Sequence, residues 1–286
     1  MSPDPRIGRW RVGMTQAAGF AQHWREWQPH TQHSLPVLAL HGSLTQSGMW
    51  IELAERLRDV RMLCHDQRGF GLSESIPGDS CADFTRDAKA IADTLLPGRF
   101  VVMGHSFACS MALELANRST RVAAVVLVDP VVRLPGATPA RPPDLVVARF
   151  ESLAVAAQYF EATEEGVWTQ DALRRFTADV VLKADEGWRL PYAKERLVRL
   201  RSFTASAESD YDLFSKARKV AQPVLVFRGG VSKRFAAAAE PALMQAFTNA
   251  ASARCIVCPK SGHFPSSTEP EAMAAALAPF LERLPS

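Results

Sequence analysis

Short apolar runs alternate with amphipathic segments along much of the chain. Runs rich in valine and leucine predict buried strands at residues 35–40, 60–65, 100–103 and 122–128. Apolar positions at helical spacing predict helices at residues 51–57 and 84–95, and a third from the turn at residue 106 to about residue 115. Because strands and helices alternate, we expect an α/β fold: a mostly parallel, doubly wound sheet with helices on both faces.

The pattern extends at one end and is interrupted in the middle. Residues 11–14 and 19–27 predict two antiparallel edge strands. After residue 130 the alternation stops, and helical patterns follow a proline-rich opening made by Pro135, Pro139, Pro142 and Pro143. These helical patterns lie at residues 145–160, 169–178 and 191–203.

Strands and helices alternate again after this stretch. Strands are predicted at residues 224–227 and 253–258, and helices at residues 240–249 and 269–283. Because one pattern continues on both sides, we interpret residues 131–221 as an inserted helical lid over a pocket, rather than as a linker or a separate domain. The core then consists of residues 1–130 and 222–286.

Composition and charge exclude several kinds of partner. The 286 residues are 47% hydrophobic, which suffices for a sizeable core, and 33 basic against 30 acidic residues give a net charge of +3. No basic run carries interleaved aromatic residues, so we expect no nucleic-acid partner. The polar first eleven residues do not resemble a signal peptide, and no run of 18 apolar residues occurs. We therefore expect a cytoplasmic protein with no membrane partner; its oligomeric state is not predicted.

Cofactor and metal sites are not expected either. The five cysteines show no disulfide framework, which indicates reduced thiols. Cys255 and Cys258 lie three apart on a predicted strand, so their side chains point to opposite faces and cannot easily bind one zinc ion. The pair Gly69-x-Gly71 lacks the third glycine of a dinucleotide fingerprint.

A candidate nucleophile lies where a strand changes into a helix. The pattern Gly104-x-Ser106-x-Ala108 has small residues on both sides of the serine, as a strained strand-to-helix turn requires, with alanine in place of the usual last glycine. Ser106 also lies at a helix N-terminus, where main-chain N–H groups favour a developing oxyanion. The pattern therefore predicts a nucleophilic serine.

Five motifs occur in order along the chain. They are His41-Gly42 after a strand, Asp66-x-Arg68-Gly69-x-Gly71-x-Ser73, Gly104-His105-Ser106, Leu127-Val128-Asp129-Pro130 and Ser261-Gly262-His263-Phe264-Pro265. Together they resemble the α/β-hydrolase fold family, over residues 19–283 with the lid unmatched. The resemblance implies a serine hydrolase with Ser106 as nucleophile and His263, in the loop after the last strand, as its base.

The acid is where the chain departs from the family pattern. Most similar members carry it after the strand that follows the lid, but Ser232 occupies that place here. Some members carry it one strand earlier, where Asp129 stands, so we predict a triad of Ser106, His263 and Asp129. Asp210 and Asp212 are alternative candidates for the acid, and a further alternative is a dyad of Ser106 and His263 without an acid. The resemblance further implies an oxyanion hole made by the main-chain N–H groups of Ser43 and Phe107.

The resulting expectation is a cofactor-free serine hydrolase that forms an acyl-enzyme with a small-molecule substrate. Carboxylic esters, lactones and activated amides are the expected substrates. A carbon–carbon bond hydrolase is an alternative, although such members usually have asparagine where this chain has His105; a non-catalytic ligand-binding member is another. The aromatic residues Trp168, Trp188 and Tyr192 in the lid favour an apolar or aromatic substrate.

Overall fold

The core is one eight-stranded, mostly parallel sheet, as the alternation of strands and helices predicts. The computed structural model describes residues 8–132, 149–163, 167–206 and 208–285. The strands are β1 Gly8–Ala17, β2 Phe20–Pro29, β3 Val37–Leu40, β4 Met62–His65, β5 Phe100–His105, β6 Val122–Val128, β7 Arg149–Phe150, β8 Leu182–Lys183, β9 Trp188–Arg189, β10 Val224–Gly229 and β11 Ala253–Cys258. The order in the large sheet is β1-β2-β4-β3-β5-β6-β10-β11. Pairing is antiparallel between β1 and β2 and between β2 and β4, and parallel at every other step.

Helices cover both faces of this sheet. The helices are α1 Ile51–Ala54, α2 Cys81–Leu95, α3 Ala108–Arg118, α4 Leu153–Thr163, α5 Gln170–Val180, α6 Lys194–Ala205, α7 Leu213–Ala217, α8 Glu240–Ala246, α9 Pro265–Thr268 and α10 Pro270–Glu282. Strands β3, β4, β5, β6 and β10 are buried along their whole lengths, because each is covered on both sides. Helices α2, α3 and α7 pack side by side, whereas α1 packs against α10.

Several helices are shorter than the periodicity predicts. A 3₁₀ helix, Ser47–Trp50, precedes α1, and α1 ends at Ala54 rather than at residue 57. The helix expected from residue 240 ends at Ala246. Two helices, α9 and α10, occupy the C-terminal region, and Pro270 begins the second because proline suits the first turn of a helix.

The chain between β6 and β10 leaves the large sheet, and we call residues 131–221 the insertion. The structure describes residues 131–132, 149–163, 167–206 and 208–221 of it. Helices α5 and α6 correspond to two of the expected helices. The third was expected at residues 145–160, but α4 covers only its second half, because Arg149–Phe150 form strand β7 instead of helix. Residues 145–148 and the four prolines lie outside the described residues. Strands β7, β9 and β8 form a small antiparallel sheet there. The sequence did not predict it, since two-residue strands carry no periodic signal.

The insertion is attached to the core by buried polar contacts. Arg196 of α6 is almost fully buried and donates hydrogen bonds to the carbonyl oxygens of Ile76 and Gly78 (3.0 and 2.9 Å). The Asp210 carboxylate accepts the N–H groups of Cys81 and Ala82 at the start of α2 (2.7 and 2.9 Å). These contacts hold one side of the insertion over the carboxyl ends of the central strands. In the described ranges, none of the helices has the length and apolar character needed to cross a bilayer.

Candidate active site

Ser106 lies in a strained turn between β5 and α3. Its φ is +59°, a left-handed conformation that is uncommon for a residue with a side chain. A Cβ on Gly104 would lie 2.4 Å from the carbonyl oxygen of Ala108, so only glycine allows the helix to begin this close to the strand. The N–H of Ser106 donates to the carbonyl oxygen of Val128 (3.0 Å), which fixes the turn against β6. The structure thus has the strand, turn and helix that the motif predicts.

Three residues predicted as a set meet in one hydrogen-bonded chain. The Nε2 of His263 lies 2.9 Å from the Oγ of Ser106, and its Nδ1 lies 2.7 Å from the Oδ2 of Asp129. All three side chains are buried, with Ser106 the most exposed at 6%. Because a carboxylate only accepts hydrogen bonds, Nδ1–H of His263 donates to Asp129, and Nε2 is left to accept the hydroxyl proton of Ser106.

Asp129 follows β6 directly and is held by two further donors. The N–H of Gly229 donates to its Oδ1 (2.8 Å), and the hydroxyl of Ser232 donates to its Oδ2 (2.6 Å). The Ser232 oxygen in turn accepts the N–H groups of Arg234 and Phe235 (3.1 and 3.3 Å), so its own proton is directed to Asp129. The residue at the family's usual acid position therefore supports a carboxylate from the neighbouring strand.

The other candidate acids lie elsewhere. Asp210 binds the start of α2, and the carboxylate of Asp212 accepts the N–H of Ser215 (3.1 Å) at the start of α7. Both carboxylates therefore accept main-chain N–H groups at the start of a helix rather than a hydrogen bond from His263.

Two further histidines position loops around the site. Nε2–H of His105 donates to the carbonyl oxygen of His263 (2.7 Å), which joins the turn at Ser106 to the histidine loop. In His41, Nδ1–H donates to the carbonyl oxygen of Gly42 (2.7 Å) and Nε2 accepts the N–H of Gln67 (3.0 Å). Burial lowers the pKa of His105 well below its usual range and that of His41 to about 4. Both rings are therefore neutral near pH 7, as loop-supporting residues should be.

Two main-chain N–H groups lie beside Ser106 with no acceptor among the described residues. They belong to Ser43 and Phe107, and both residues line the same cavity as Ser106. A Cβ on Gly42 would lie 2.5 Å from Nδ1 of His105, so glycine is required for the loop of Ser43 to approach this closely. The arrangement offers two donors to an oxygen placed near Ser106.

The cavity at Ser106 measures about 340 Å³ and lies between the core and the insertion. Its wall on the core side includes Ser106, His263 and Phe264, and its wall on the insertion side includes Leu200 and Tyr211. A volume of this size suits a small molecule.

The aromatic residues expected to contact substrate have other roles. The ring of Trp168 packs against those of Phe176 and Phe264, with centroids 4.9 and 5.8 Å apart. The ring of Tyr192 packs against that of Phe70 (6.0 Å). The ammonium group of Lys183 lies over the ring of Trp188. None of these three residues is among the described residues that line the cavity. They pack within the protein, so they give no support to an apolar substrate.

Comparison with known proteins identifies the family. A sequence model described as the alpha/beta hydrolase family matches residues 37–276. This chain belongs to the α/β hydrolase family.

Relatives of this hydrolase include enzymes with different substrates. A 2-(acetamidomethylene)succinate hydrolase of Mesorhizobium japonicum is 26% identical over 255 residues, covering 86% of this chain and 87% of that protein. Lipase LipV of Mycobacterium tuberculosis is 37% identical over 106 residues, which span 35% of this chain and only 39% of the lipase.

Solved structures show the same fold. The crystal structure of an E-2-(acetamidomethylene)succinate hydrolase superposes with a TM-score of 0.80 at 22% identity, covering 96% of this chain and 100% of the other. An esterase of Mycobacterium tuberculosis superposes with a TM-score of 0.69 at 21% identity, covering 96% of this chain and 92% of the other.

Sequence reasoning missed some residues of the hydrolase's site. The hydrogen bond from Ser232 to Asp129 joins residues 103 positions apart, and the one from His105 to His263 joins residues 158 apart, so no local pattern reveals either. Arg201 and Arg234 also line the cavity, and nothing in the sequence distinguishes them from other arginines. The described residues contain no group of three or more histidine, cysteine, aspartate or glutamate side chains that could hold a metal ion.

Proposed function

We propose that this hydrolase cleaves small to medium carboxylic esters, lactones or activated amides through an acyl-enzyme on Ser106, without a cofactor. The observation that supports this most strongly is the hydrogen-bonded chain from Ser106 through His263 to Asp129. A serine hydroxyl is a weak nucleophile until an oriented base removes its proton, and this chain provides both the base and the group that orients it.

In the first half of the reaction the Oγ of Ser106 attacks the substrate carbonyl carbon, and its proton passes to Nε2 of His263. The carboxylate of Asp129, 2.7 Å from Nδ1, stabilises the imidazolium that forms. The N–H groups of Ser43 and Phe107 bind the oxyanion. When the tetrahedral intermediate collapses, the bond to the alcohol or amine breaks and His263 gives its proton to the leaving group.

The second half repeats these steps with water. His263 removes a proton from water, the resulting hydroxide attacks the acyl carbon, and the proton returns to Ser106 as the acid product leaves. The insertion, residues 131–221, acts as a cap over the cavity and limits the size of the substrate.

Among the proposed substrates, one relative favours the amide. The relative from Mesorhizobium japonicum, similar over 86% of this chain, is a 2-(acetamidomethylene)succinate hydrolase, a name that includes an amide group. The same residues would act on an amide, with His263 protonating the departing nitrogen. The neutral His105 beside Ser106 disfavours carbon–carbon cleavage, as the sequence indicated, and the complete chain from Ser106 to Asp129 disfavours a non-catalytic role.

Rapid-mixing kinetics with 4-nitrophenyl esters test the proposal. Wild type is expected to release nitrophenol in a burst of one equivalent per chain, because the acyl-enzyme accumulates when deacylation is slower. Ser106→Ala and His263→Ala should lose the burst, and Asp129→Asn should lose about 10⁴-fold in kcat. Ser215→Ala is the matched control, since Ser215 lies in the first turn of α7 and is not among the described residues that line the cavity.

Turnover by Ser106→Ala equal to that of wild type would overturn the proposal. A panel of 4-nitroanilides measured in parallel decides between the two candidate bonds: faster cleavage of anilides than of the matching esters would favour the amide.

A further inference from the structure

Two arginines line the cavity beside Ser106, and they come from different parts of the fold. Arg201 lies on α6 in the insertion, and Arg234 lies in the loop after β10 in the core. Both residues are half-buried. Asp212 is the single carboxylate among the described residues of the wall, and it accepts the N–H of Ser215. Among the described residues of the wall, arginine side chains therefore outnumber carboxylates by two to one.

Helix α6 directs its arginines to two different places. Arg196 and Arg199 lie 3.2 and 3.6 Å from the carboxylate of Asp79 in the core. Arg201 lines the cavity together with Leu200 and Thr204. The first two arginines therefore attach the insertion to the core, and Arg201 forms part of the cavity wall.

Arg234 has a fixed main-chain position next to the proposed acid. Its N–H donates to the Oγ of Ser232 (3.1 Å), and that hydroxyl donates to Asp129 (2.6 Å). Its carbonyl oxygen accepts the N–H of Val132 (3.1 Å). These bonds tie the main chain of Arg234 to the residues that hold Asp129, and Arg234 lines the same cavity as Ser106.

We infer that the substrate carries a carboxylate, which binds to Arg201 and Arg234 while its scissile carbonyl lies at Ser106. The inference rests on the proposed acyl transfer at Ser106 and names the substrate class for it. A guanidinium group presents a planar set of donors that matches a carboxylate. An anion in a half-closed cavity needs such partners, because it loses water there. The volume of about 340 Å³ restricts the substrate to a small acid derivative.

Binding to the Ser106→Ala variant tests the inference without turnover. Calorimetry compares phenyl hydrogen glutarate with phenyl pentanoate, in which a methyl group replaces the carboxylate, and 3-acetoxybenzoate with phenyl acetate. The first pair has the carboxylate on the acyl group, and the second pair has it on the leaving group. In at least one pair we expect the anionic ester to bind on the order of tenfold or more tightly, as hydrogen bonds to a charged group allow.

Arginine variants in the Ser106→Ala background then assign the effect. Arg201→Met and Arg234→Met should each bring the ratio of the two dissociation constants towards one, and Arg201→Lys should keep part of it because it keeps the charge but not the planar donors. Arg199→Met is the matched control on the same helix, since Arg199 faces Asp79, and it should keep the full ratio. If Arg234→Met lowers the melting temperature strongly, Arg201→Met alone decides.

Equal binding of the anionic and neutral esters in both pairs would overturn the inference, and so would a ratio that survives in Arg201→Met. Wild-type hydrolysis of the same four esters separates this from the proposed function. If charged and neutral esters turn over equally fast, the inference about the carboxylate is wrong and the acyl-enzyme mechanism still holds. If none of the esters turns over but the anionic ones still bind more tightly, the acyl-enzyme mechanism is wrong instead.

Discussion

At the scale of single residues, the acid of the site is defined by its neighbours more than by its position in the sequence. Asp129 has a φ of +43° and accepts hydrogen bonds from Gly229, Ser232 and His263. The left-handed backbone turns its side chain from β6 towards the loop after β10, where the family usually has the acid. An acid that follows the neighbouring strand can therefore still reach His263, and here the residue at the usual acid position, Ser232, donates a hydrogen bond to it.

Replacing Ser232 by alanine should weaken catalysis without abolishing it. The Oδ2 of Asp129 would lose one of its two donors, so the carboxylate would orient His263 less well. We expect a fall in kcat of about fivefold, corresponding to the loss of roughly 1 kcal/mol from one hydrogen bond. Steady-state kinetics measure it, with the exposed neighbour replaced in Val231→Ala as the control. An unchanged kcat in Ser232→Ala would show that this hydroxyl has no part in positioning Asp129.

A methyl group on Gly42 should disrupt the oxyanion donors. Its Cβ would lie 2.5 Å from Nδ1 of His105 and 3.2 Å from Cβ of Ser106, so the loop of Ser43 must move away from the turn. We expect Gly42→Ala to lose about 10²- to 10³-fold in kcat, as the removal of one oxyanion donor does elsewhere. Ser43→Ala keeps its main-chain N–H and should lose far less. If the two variants lose equal activity, the donors are not the main-chain groups named here.

At the scale of secondary-structure elements, the contact between α5 and the 3₁₀ helix Ser47–Trp50 holds the second side of the insertion. Nε2 of Gln46 donates to the carbonyl oxygen of Asp179 (2.8 Å), and a Cβ on Gly48 would lie 1.9 Å from that oxygen. The 3₁₀ helix directly follows the loop of Ser43. The position of α5 is thus coupled to the loop that carries one oxyanion donor.

The carboxyl group of Asp179 is expected to make the stability of the protein depend on pH. Burial, followed by the nearby carboxylate of Glu52, raises the pKa of Asp179 to about 7, against the opposing effect of Arg25. A raised pKa in the folded state means that folding favours the protonated form. Its contribution to stability is therefore complete below about pH 4, the pKa of the unfolded chain, and is lost as the pH rises through 7.

Asp179→Asn should remove this dependence. The variant is expected to match wild type near pH 4.5 and to exceed its free energy of unfolding at pH 8 by on the order of 2 kcal/mol, because asparagine carries no charge to bury. Urea unfolding at the two pH values measures the difference, and Asp185→Asn, at an exposed position in the insertion, is the control. A gain that is equal at both pH values would contradict the titration of Asp179.

At the scale of the whole molecule, the sheet could be predicted because its strands are buried on both faces and read as continuous apolar runs. Strands β5 and β6 illustrate this, since each lies close to its predicted bounds. The helical segments were less predictable. The 3₁₀ helix Ser47–Trp50 before α1 is held by hydrogen bonds to Asp66 and Asp179, which lie far along the chain. Local periodicity does not contain such contacts.

The candidate site was predictable only through its resemblance to a known family. His263 lies 157 residues from Ser106 and 134 from Asp129, so spacing alone could not join them. The cavity wall was not predictable at all. On α6, Arg196 is buried against the core and Arg201 lines the cavity, although the two residues are of the same type on one helix. Which face of a helix meets a cavity depends on how the helix docks, and this is a property of the tertiary structure.

The central claim, that His263 and Asp129 activate Ser106, is tested most directly by intact-mass spectrometry after treatment with a fluorophosphonate. We expect one adduct per chain in wild type, none in Ser106→Ala, and labelling slowed by at least about 10³-fold in His263→Ala and Asp129→Asn. Folded wild-type protein that stays unlabelled, or that is labelled equally fast in all variants, would contradict it.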